Sequence, residues 1–310
     1  MPVLLFISQV ERPGPWKKAL EACVPGLEVR VWPEVGTPGE VDYVLCWKPP
    51  VSAIRELVGL KAVFSLGAGV DHLADIAESL ADVPVIRMVE PALTEGMTGY
   101  VVYQVLRFHR RMPEYEAQRA RREWRELPQV RPQERRIGIM GLGVLGSEAA
   151  RALVALGFDV SGWSRSAKRL EGVRNFAGND ALNAFLAGTE ILVCMLPLTP
   201  QTRGIINRET LGRLPAGAAV INVGRGGHLV ERDLLEALDS GQVAGAALDV
   251  FEVEPLPQAH PFWTHPRVTM TPHIASLTNP VTGAGVIAKH IESMESGAAL
   301  ENRVDFLKGY

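Results

Sequence analysis

The sequence predicts an α/β protein built of two parallel-sheet domains with a cleft between them. Three observations predict it. Short apolar runs alternate with helical segments along almost the whole chain, the rhythm of parallel strands joined by crossover helices. That rhythm breaks once, at a long helical stretch from about Thr94 to Trp124, and resumes at Arg136. The chain has 310 residues, enough for two cores of ordinary size.

In the first series the expected strands are Val3–Ser8, Glu28–Trp32, Tyr43–Trp47, Ala62–Leu66 and Val85–Met88. The expected helices between them are Trp16–Val24, Val51–Leu60 and Leu73–Leu80. The long stretch should break near Pro113, because proline removes a helical donor. The second series has strands at Ile137–Met140, Asp159–Trp163, Ile191–Leu196, Ala219–Val223, Ala246–Val250 and Val268–Thr271. The closing helix, Pro280–Ser296, is expected to return to the first lobe. One domain is therefore expected to comprise 1–98 plus 283–310, and the other 99–282.

Composition narrows the class. The chain is 47% hydrophobic and 22% charged, which speaks against disorder, collagen or a coiled coil. A net charge of -3 provides no global field for nucleic acid or an acidic membrane. Arginines are dense between Arg107 and Arg125, but Glu114, Glu116 and Glu123 are interleaved, as on a solvated or subunit-facing helix. Cys23, Cys46 and Cys194 have no metal-type spacing and suggest reduced thiols in a cytoplasmic protein. His72, His109, His228, His260, His265 and His290 form no metal-like pair and are expected to be structural or exposed. The N-terminus lacks the basic region of an export signal. No run approaches the roughly 20 apolar residues of a membrane span.

The strand Ile137–Met140 leads directly into Gly141-Leu142-Gly143-Val144-Leu145-Gly146 and then a helix from Ser147 to Leu156. Alone, a G-x-G-x-x-G is weak evidence; between a strand and a helix it marks a dinucleotide-binding turn. The first glycine permits the turn, the second lets a pyrophosphate approach the backbone, and the third lets helix pack on strand. A turn without a ligand is the alternative. About 20 residues on, an NAD site usually places an acidic side chain on the ribose. Here the strand ends Trp163-Ser164-Arg165-Ser166. Serine and arginine suit a 2′-phosphate, with Lys168 and Arg169 nearby, so NADP(H) is favoured and NAD(H) remains open.

Three segments end strands of the second lobe: Asn222-Val223-Gly224-Arg225, Asp249-Val250-Phe251-Glu252-Val253-Glu254 and Thr271-Pro272-His273. Open α/β sheets hold ligands at that edge. Singly, Arg225, Glu254 and His273 could be a surface charge, a loop carboxylate and a buried histidine. In this order after a dinucleotide turn, they suggest catalysis.

With these segments, the chain resembles the D-isomer-specific 2-hydroxyacid dehydrogenase family. The resemblance also rests on Leu196-Pro197-Leu198-Thr199-Pro200-Gln201-Thr202-Arg203-Gly204 and Gly67-Ala68-Gly69-Val70-Asp71, and covers nearly the full length. It implies two Rossmann-like/flavodoxin-like domains. Within the family it is most similar to the glyoxylate/hydroxypyruvate reductase A branch, on Cys46-Trp47-Lys48-Pro49-Pro50, Gly162-Trp163-Ser164-Arg165-Ser166 and the Gly309-Tyr310 end. Met97-Thr98-Gly99-Tyr100 departs from that branch, which has a glutamate before the tyrosine.

The resemblance implies that His273 is the general acid, Glu254 orients it and Arg225 holds the 2-oxo acid. It puts Asp249 near the nicotinamide and Leu196, Pro197, Thr202, Val223 and Gly224 along the cofactor. It implies that Gly67, Ala68 and Gly69 bind the substrate carboxylate and that the protein is a homodimer. Trp47 is expected to wall the substrate pocket, since a bulky aromatic there would limit the C3 substituent; a large core residue at a strand end is the alternative. Hydride addition to C2 leaves negative charge on oxygen, which a proton donor and a nearby cation stabilise. A carboxylate beside His273 favours the imidazolium, so reduction should fall as pH rises and oxidation should do the reverse. The expected function is NADPH-dependent reduction of glyoxylate and hydroxypyruvate. Alternatives are a dehydrogenase of a bulkier 2-hydroxy acid and a dinucleotide-sensing corepressor-like protein.

Overall fold

The computed structural model describes residues 1–306; the Gly309-Tyr310 end lies outside the described residues. The chain divides into two compact units, Met1–Leu93 with the chain from Leu277 onward, and Thr94–Ser276.

The first unit carries a five-stranded parallel sheet of β1 (Val3–Ile7), β2 (Glu28–Val31), β3 (Tyr43–Cys46), β4 (Ala62–Ser65) and β5 (Val85–Ile86). Its order is β2-β1-β3-β4-β5, the flavodoxin-like winding. Residues Val3–Ile7, Tyr43–Cys46 and Ala62–Ser65 are buried throughout, because a parallel sheet is covered on both faces and its strands read as unbroken apolar runs. The helices Pro13–Cys23 and Pro280–Glu295 pack together here. Trp16 is fully buried, and Gly283 makes room for it: a Cβ there would lie 2.7 Å from the indole.

The unit borders fall at 93/94 and 276/277, a few residues before the 98/99 and 282/283 expected from the sequence. Local bonding explains both shifts. Met97 packs in the core of the second unit with Val101 and Ala275. Thr278 donates its hydroxyl to the Leu66 carbonyl, and Asn279 N–H and the Thr282 hydroxyl donate to the buried carboxylate of Glu90. Glu90 also accepts from the backbone of Ala92 and Leu93. One carboxylate thus serves the N-terminal turns of two helices, where negative charge is favoured.

Other expectations need correction. Leu73–Leu80 is not a helix but two 3-10 turns, Asp71–Ile76 and Glu78–Leu80; Val51–Leu60 is helical only to Arg55. The long stretch forms helices Pro91–His109 and Met112–Arg121. As expected, the break falls near Pro113, at Arg111, which has φ 58°. Pro113 itself sits in the first turn of the second helix, where proline is tolerated because its missing N–H has no helical partner.

The second unit carries β6 (Arg136–Met140), β7 (Asp159–Ser164), β8 (Val173–Ala177), β9 (Ile191–Cys194), β10 (Ala218–Asn222), β11 (Val243–Leu248) and β12 (Val268–Met270). All pair in parallel, in the order β12-β11-β10-β9-β6-β7-β8. This is a Rossmann winding whose strand order reverses between β6 and β9. Strand β8 was not expected: it is an edge strand with exposed Arg174 and Asn175, so it lacks a strong apolar run. Strand β11 starts three residues earlier than expected and includes Gly245, where a Cβ would sit 3.0 Å from Phe108. The short helices Leu182–Ala187 and Arg208–Arg213 and the helix Glu231–Ser240 complete this unit. Among the described residues no helix is long and apolar enough to cross a membrane.

Candidate active site

The glycine turn sits at the carboxyl end of β6, beside the reversal point. Gly141 has φ 103°, and a Cβ there would lie 2.7 Å from the Met195 carbonyl oxygen. At Gly146 a Cβ would fall 1.9 Å from the Gly141 carbonyl oxygen, so only glycine lets the helix Val144–Ala155 pack this close. Gly143 differs: a Cβ there meets nothing within 4 Å. The protein itself does not require that glycine; a ligand lying against the turn would. No side chain caps the helix at Gly143, which leaves its N-terminus suited to an anion. Leu142 is buried and Leu145 packs partly against the same core, while Val144 is 44% exposed. The turn therefore fits a pyrophosphate.

At the end of β7 the expected set divides. The Trp163 side chain belongs to the core, and its indole N–H donates to the Gly178 carbonyl at 2.9 Å. Its contribution to the turn is its own carbonyl, which accepts from Gly141 N–H. Ser164 is also buried, with its hydroxyl on the Ser166 carbonyl. Arg165, Ser166, Lys168 and Arg169 are exposed. A cationic surface thus lies where a 2′-phosphate belongs.

Leu196 is buried and Val223 is buried. The Thr202 hydroxyl donates to the Pro197 carbonyl at 2.7 Å and accepts from Thr199 N–H, so it braces its own loop. His228, buried, accepts from Arg225 N–H at 3.0 Å through Nδ1. Its Nε2–H is then left to donate to the Pro197 carbonyl, 3.2 Å away. This histidine ties the Arg225 loop to the Pro197 loop. Gly224 leaves room for it, since a Cβ there would be 2.9 Å from Nδ1.

Strands β10, β11 and β12 are neighbours, so the segments after them leave the same sheet edge side by side. Arg225 is half-buried, and one guanidinium N–H donates to the Gly224 carbonyl at 2.8 Å. His273 Nδ1 lies 2.9 Å from Glu254 Oε2, and Glu254 Oε1 accepts from Phe251 N–H at 3.0 Å. The carboxylate is itself anchored, so it fixes the plane and direction of the ring. His273 has φ 55°, a left-handed conformation that costs a non-glycine residue of order 1 kcal/mol.

Asp249 explains how that conformation is held. Its Oδ1 accepts from the Thr271 hydroxyl at 2.6 Å and Ile274 N–H at 2.9 Å, and its Oδ2 from Ala275 N–H at 2.8 Å. Its backbone carbonyl accepts from His273 N–H at 2.8 Å. Burial pushes its carboxyl up from the ordinary range, against the pull of these bonds. In this structure Asp249, expected near the nicotinamide, is the strut of the His273 loop. With the Thr271 proton committed to the carboxylate, the Tyr100 hydroxyl donates to Thr271 Oγ1, at 2.6 Å. Only long-range side-chain geometry reveals this chain of bonds.

In the first unit, the loop after β4 carries Gly67, Ala68 and Gly69, all half-buried. Among the described residues the N–H groups of Ala68 and Gly69 make no hydrogen bond, as a carboxylate-binding loop requires. Trp47 is half-buried at the end of β3 and packs partly on the core. Among the described residues no group of acidic, histidine and cysteine side chains could hold a metal.

Residues 102–275 match the model of the D-isomer specific 2-hydroxyacid dehydrogenase, NAD binding domain. The chain belongs to the D-isomer specific 2-hydroxyacid dehydrogenase family. This dehydrogenase is 44% identical over 300 residues to glyoxylate/hydroxypyruvate reductase A of Yersinia enterocolitica, covering 95% of this chain and 96% of the relative. It is 45% identical to the reductase of the same name from Salmonella paratyphi B, at the same coverage. Its fold matches a family member from Xanthobacter autotrophicus Py2 solved with NADPH and MES, at TM-score 0.96 and 46% identity, covering 100% of this chain and 99% of the other. It also matches the NADPH-dependent glyoxylate/hydroxypyruvate reductase of Sinorhizobium meliloti with NADP and sulfate, at TM-score 0.94 and 41% identity, with 100% and 99% covered.

Proposed function

We propose that this dehydrogenase reduces small 2-oxo acids, glyoxylate to glycolate and hydroxypyruvate to glycerate, with NADPH. The observation that carries the reading is the His273–Glu254 pair, 2.9 Å apart, on the sheet edge that also carries Arg225. The bound dinucleotide supplies the hydride that adds to C2 of the ketone. Glu254 accepts Nδ1–H, which fixes the tautomer and leaves Nε2 as the nitrogen that holds the transferable proton. His273 then delivers that proton to the ketone oxygen as charge develops there. Arg225 stabilises the same oxygen and orients the acid. The Ala68 and Gly69 N–H groups would grip its carboxylate, and Trp47 would limit its C3 substituent.

NADPH over NADH rests on Arg165, Lys168 and Arg169 at the end of β7 and on the lack of an acidic side chain there. The NADP-bound relatives support it. Reduction of glyoxylate, hydroxypyruvate, pyruvate and a branched 2-oxo acid with each reduced cofactor tests the whole reading. The two small acids with NADPH should give the highest kcat/KM. Turnover of none of them, with NADPH still bound, would instead mark a dinucleotide sensor.

The reading extends to a homodimer in the cytoplasm. Trp124 is fully exposed, and Tyr103, Leu106, Met112 and Val130 also show apolar surface. Exposed large apolar side chains in this stretch support an association surface here. Cys46 and Cys194 are buried and unpaired in disulfides, consistent with a reducing compartment.

A further inference from the structure

We propose that His72 is a positioning residue that locks the Trp47–Lys48 turn to the Gly67–Gly69 loop and so sets the size of substrate admitted; this rests on the 2-oxo acid reading above.

The bonds that His72 makes to the two loops define its tautomer. Lys48 N–H, which can only donate, points at Nδ1 from 3.1 Å. Nδ1 therefore carries no proton, and the ring is the neutral Nε2–H tautomer. Nε2–H donates to Ser65 Oγ at 3.0 Å. Ser65 is completely buried at the end of β4. Its oxygen also accepts from Gly67 N–H at 3.2 Å, and its single proton faces the Gly67 carbonyl at 2.9 Å and the Gly69 carbonyl at 3.3 Å. These bonds tie the histidine–serine pair to both loops.

Two further observations show that the arrangement is held under constraint. Lys48 has φ 47°, a left-handed conformation that persists in a non-glycine residue only where its surroundings impose it. The Trp47 ring lies on the His72 ring, with centroids 4.2 Å apart. Gly67 meets it from another side: a Cβ there would be 2.7 Å from Trp47 Cζ3. The indole is thus set by a histidine and by a loop that the same histidine secures. Sequence spacing places His72 just past the Gly-x-Gly loop but does not reveal that its ring nitrogens are committed to two separate loops.

Two variants of the full-length protein test this. His72→Phe keeps a ring against Trp47 and removes both nitrogens; Ser65→Ala removes the shared oxygen with little change in volume. Backbone amide exchange reads the pin without requiring turnover. In His72→Phe the Lys48 amide should exchange at least about tenfold faster, as expected for local opening. In Ser65→Ala the acceleration should fall on Gly67. The amides of β3 and β4 should remain protected in both. Selectivity reads the consequence. In His72→Phe the kcat/KM ratio of hydroxypyruvate to a branched 2-oxo acid should fall about tenfold, the scale of one methylene in a pocket. The change should lie in KM for the 2-oxo acid, with KM for NADPH unchanged. Wild-type protection of Lys48 in His72→Phe, or an unchanged selectivity ratio in an enzyme that turns over, overturns the proposal. Faster exchange in a protein whose parent reduces no 2-oxo acid supports the pin and overturns the substrate reading beneath it.

Discussion

The three glycines of the turn are a residue-scale experiment already half done. Gly146 is required by the fold, since a methyl group there would collide with the Gly141 carbonyl at 1.9 Å. Gly143 is required by nothing in the protein. Gly143→Ala should therefore fold with an unchanged Tm and raise KM for NADPH at least about tenfold, because the added methyl occupies the pyrophosphate's approach. Gly146→Ala should lower Tm by several degrees, as core overpacking does. Thermal melts beside NADPH titrations check both. Equal effects in the two variants would mean that the turn serves packing alone. The motif was legible in the sequence, but the division of labour within it was not, because it depends on which atoms face each Cα.

At the scale of elements, two helices bury a histidine. His109 ends the helix Pro91–His109 and meets Phe158 edge-on at 5.0 Å. His290 lies in the helix Pro280–Glu295, 6.2 Å from the Phe64 ring. Burial pushes both imidazoles below their ordinary range, and for His109 the charges of Arg135 and Arg110 add to this. The fold therefore accepts the neutral ring. Its contribution is fully present above about pH 6.5, where the unfolded histidine titrates, and is lost as pH falls through the lowered folded values. Urea midpoints should decline between pH 7 and pH 5, and His290→Phe should reduce that decline. An equal decline in the variant would place the acid sensitivity elsewhere.

The same elements show what the sequence conveys. Strands β1, β3, β4 and β9 were legible because they are buried on both faces and read as apolar runs. Strand β8 was not, because an edge strand exposes polar residues. The break near Pro113 was legible, and it falls at Arg111 because proline suits the first turn that follows. Arg225, Glu254 and His273 stood out by residue type after successive strands. Asp249 as a strut and His72 as a pin did not, because each depends on hydrogen bonds between loops that are distant along the chain or folded back on themselves.

For the whole molecule, the two units play different parts in the proposed reaction. In that proposal the second would hold the dinucleotide and the proton donor, and the first would supply backbone N–H groups for a carboxylate. The homodimer reading is tested at this scale by sedimentation. The 310-residue chain of 33.7 kDa should sediment at twice its mass at micromolar concentration, and Trp124→Glu should shift it toward the monomer by burying a charge in an apolar contact. A wild-type monomer would remove Trp124 from any interface.

The central claim is that His273 provides the proton for ketone reduction, and single-turnover reduction of glyoxylate by bound NADPH tests it most directly. The wild-type rate should fall as pH rises, as loss of a protonated donor requires, while glycolate oxidation with NADP rises. His273→Gln should bind NADPH as the parent does and reduce glyoxylate about 10²–10⁴-fold more slowly, the usual contribution of a positioned acid. A variant that keeps most of the parent's rate, with the same pH dependence, would contradict the account.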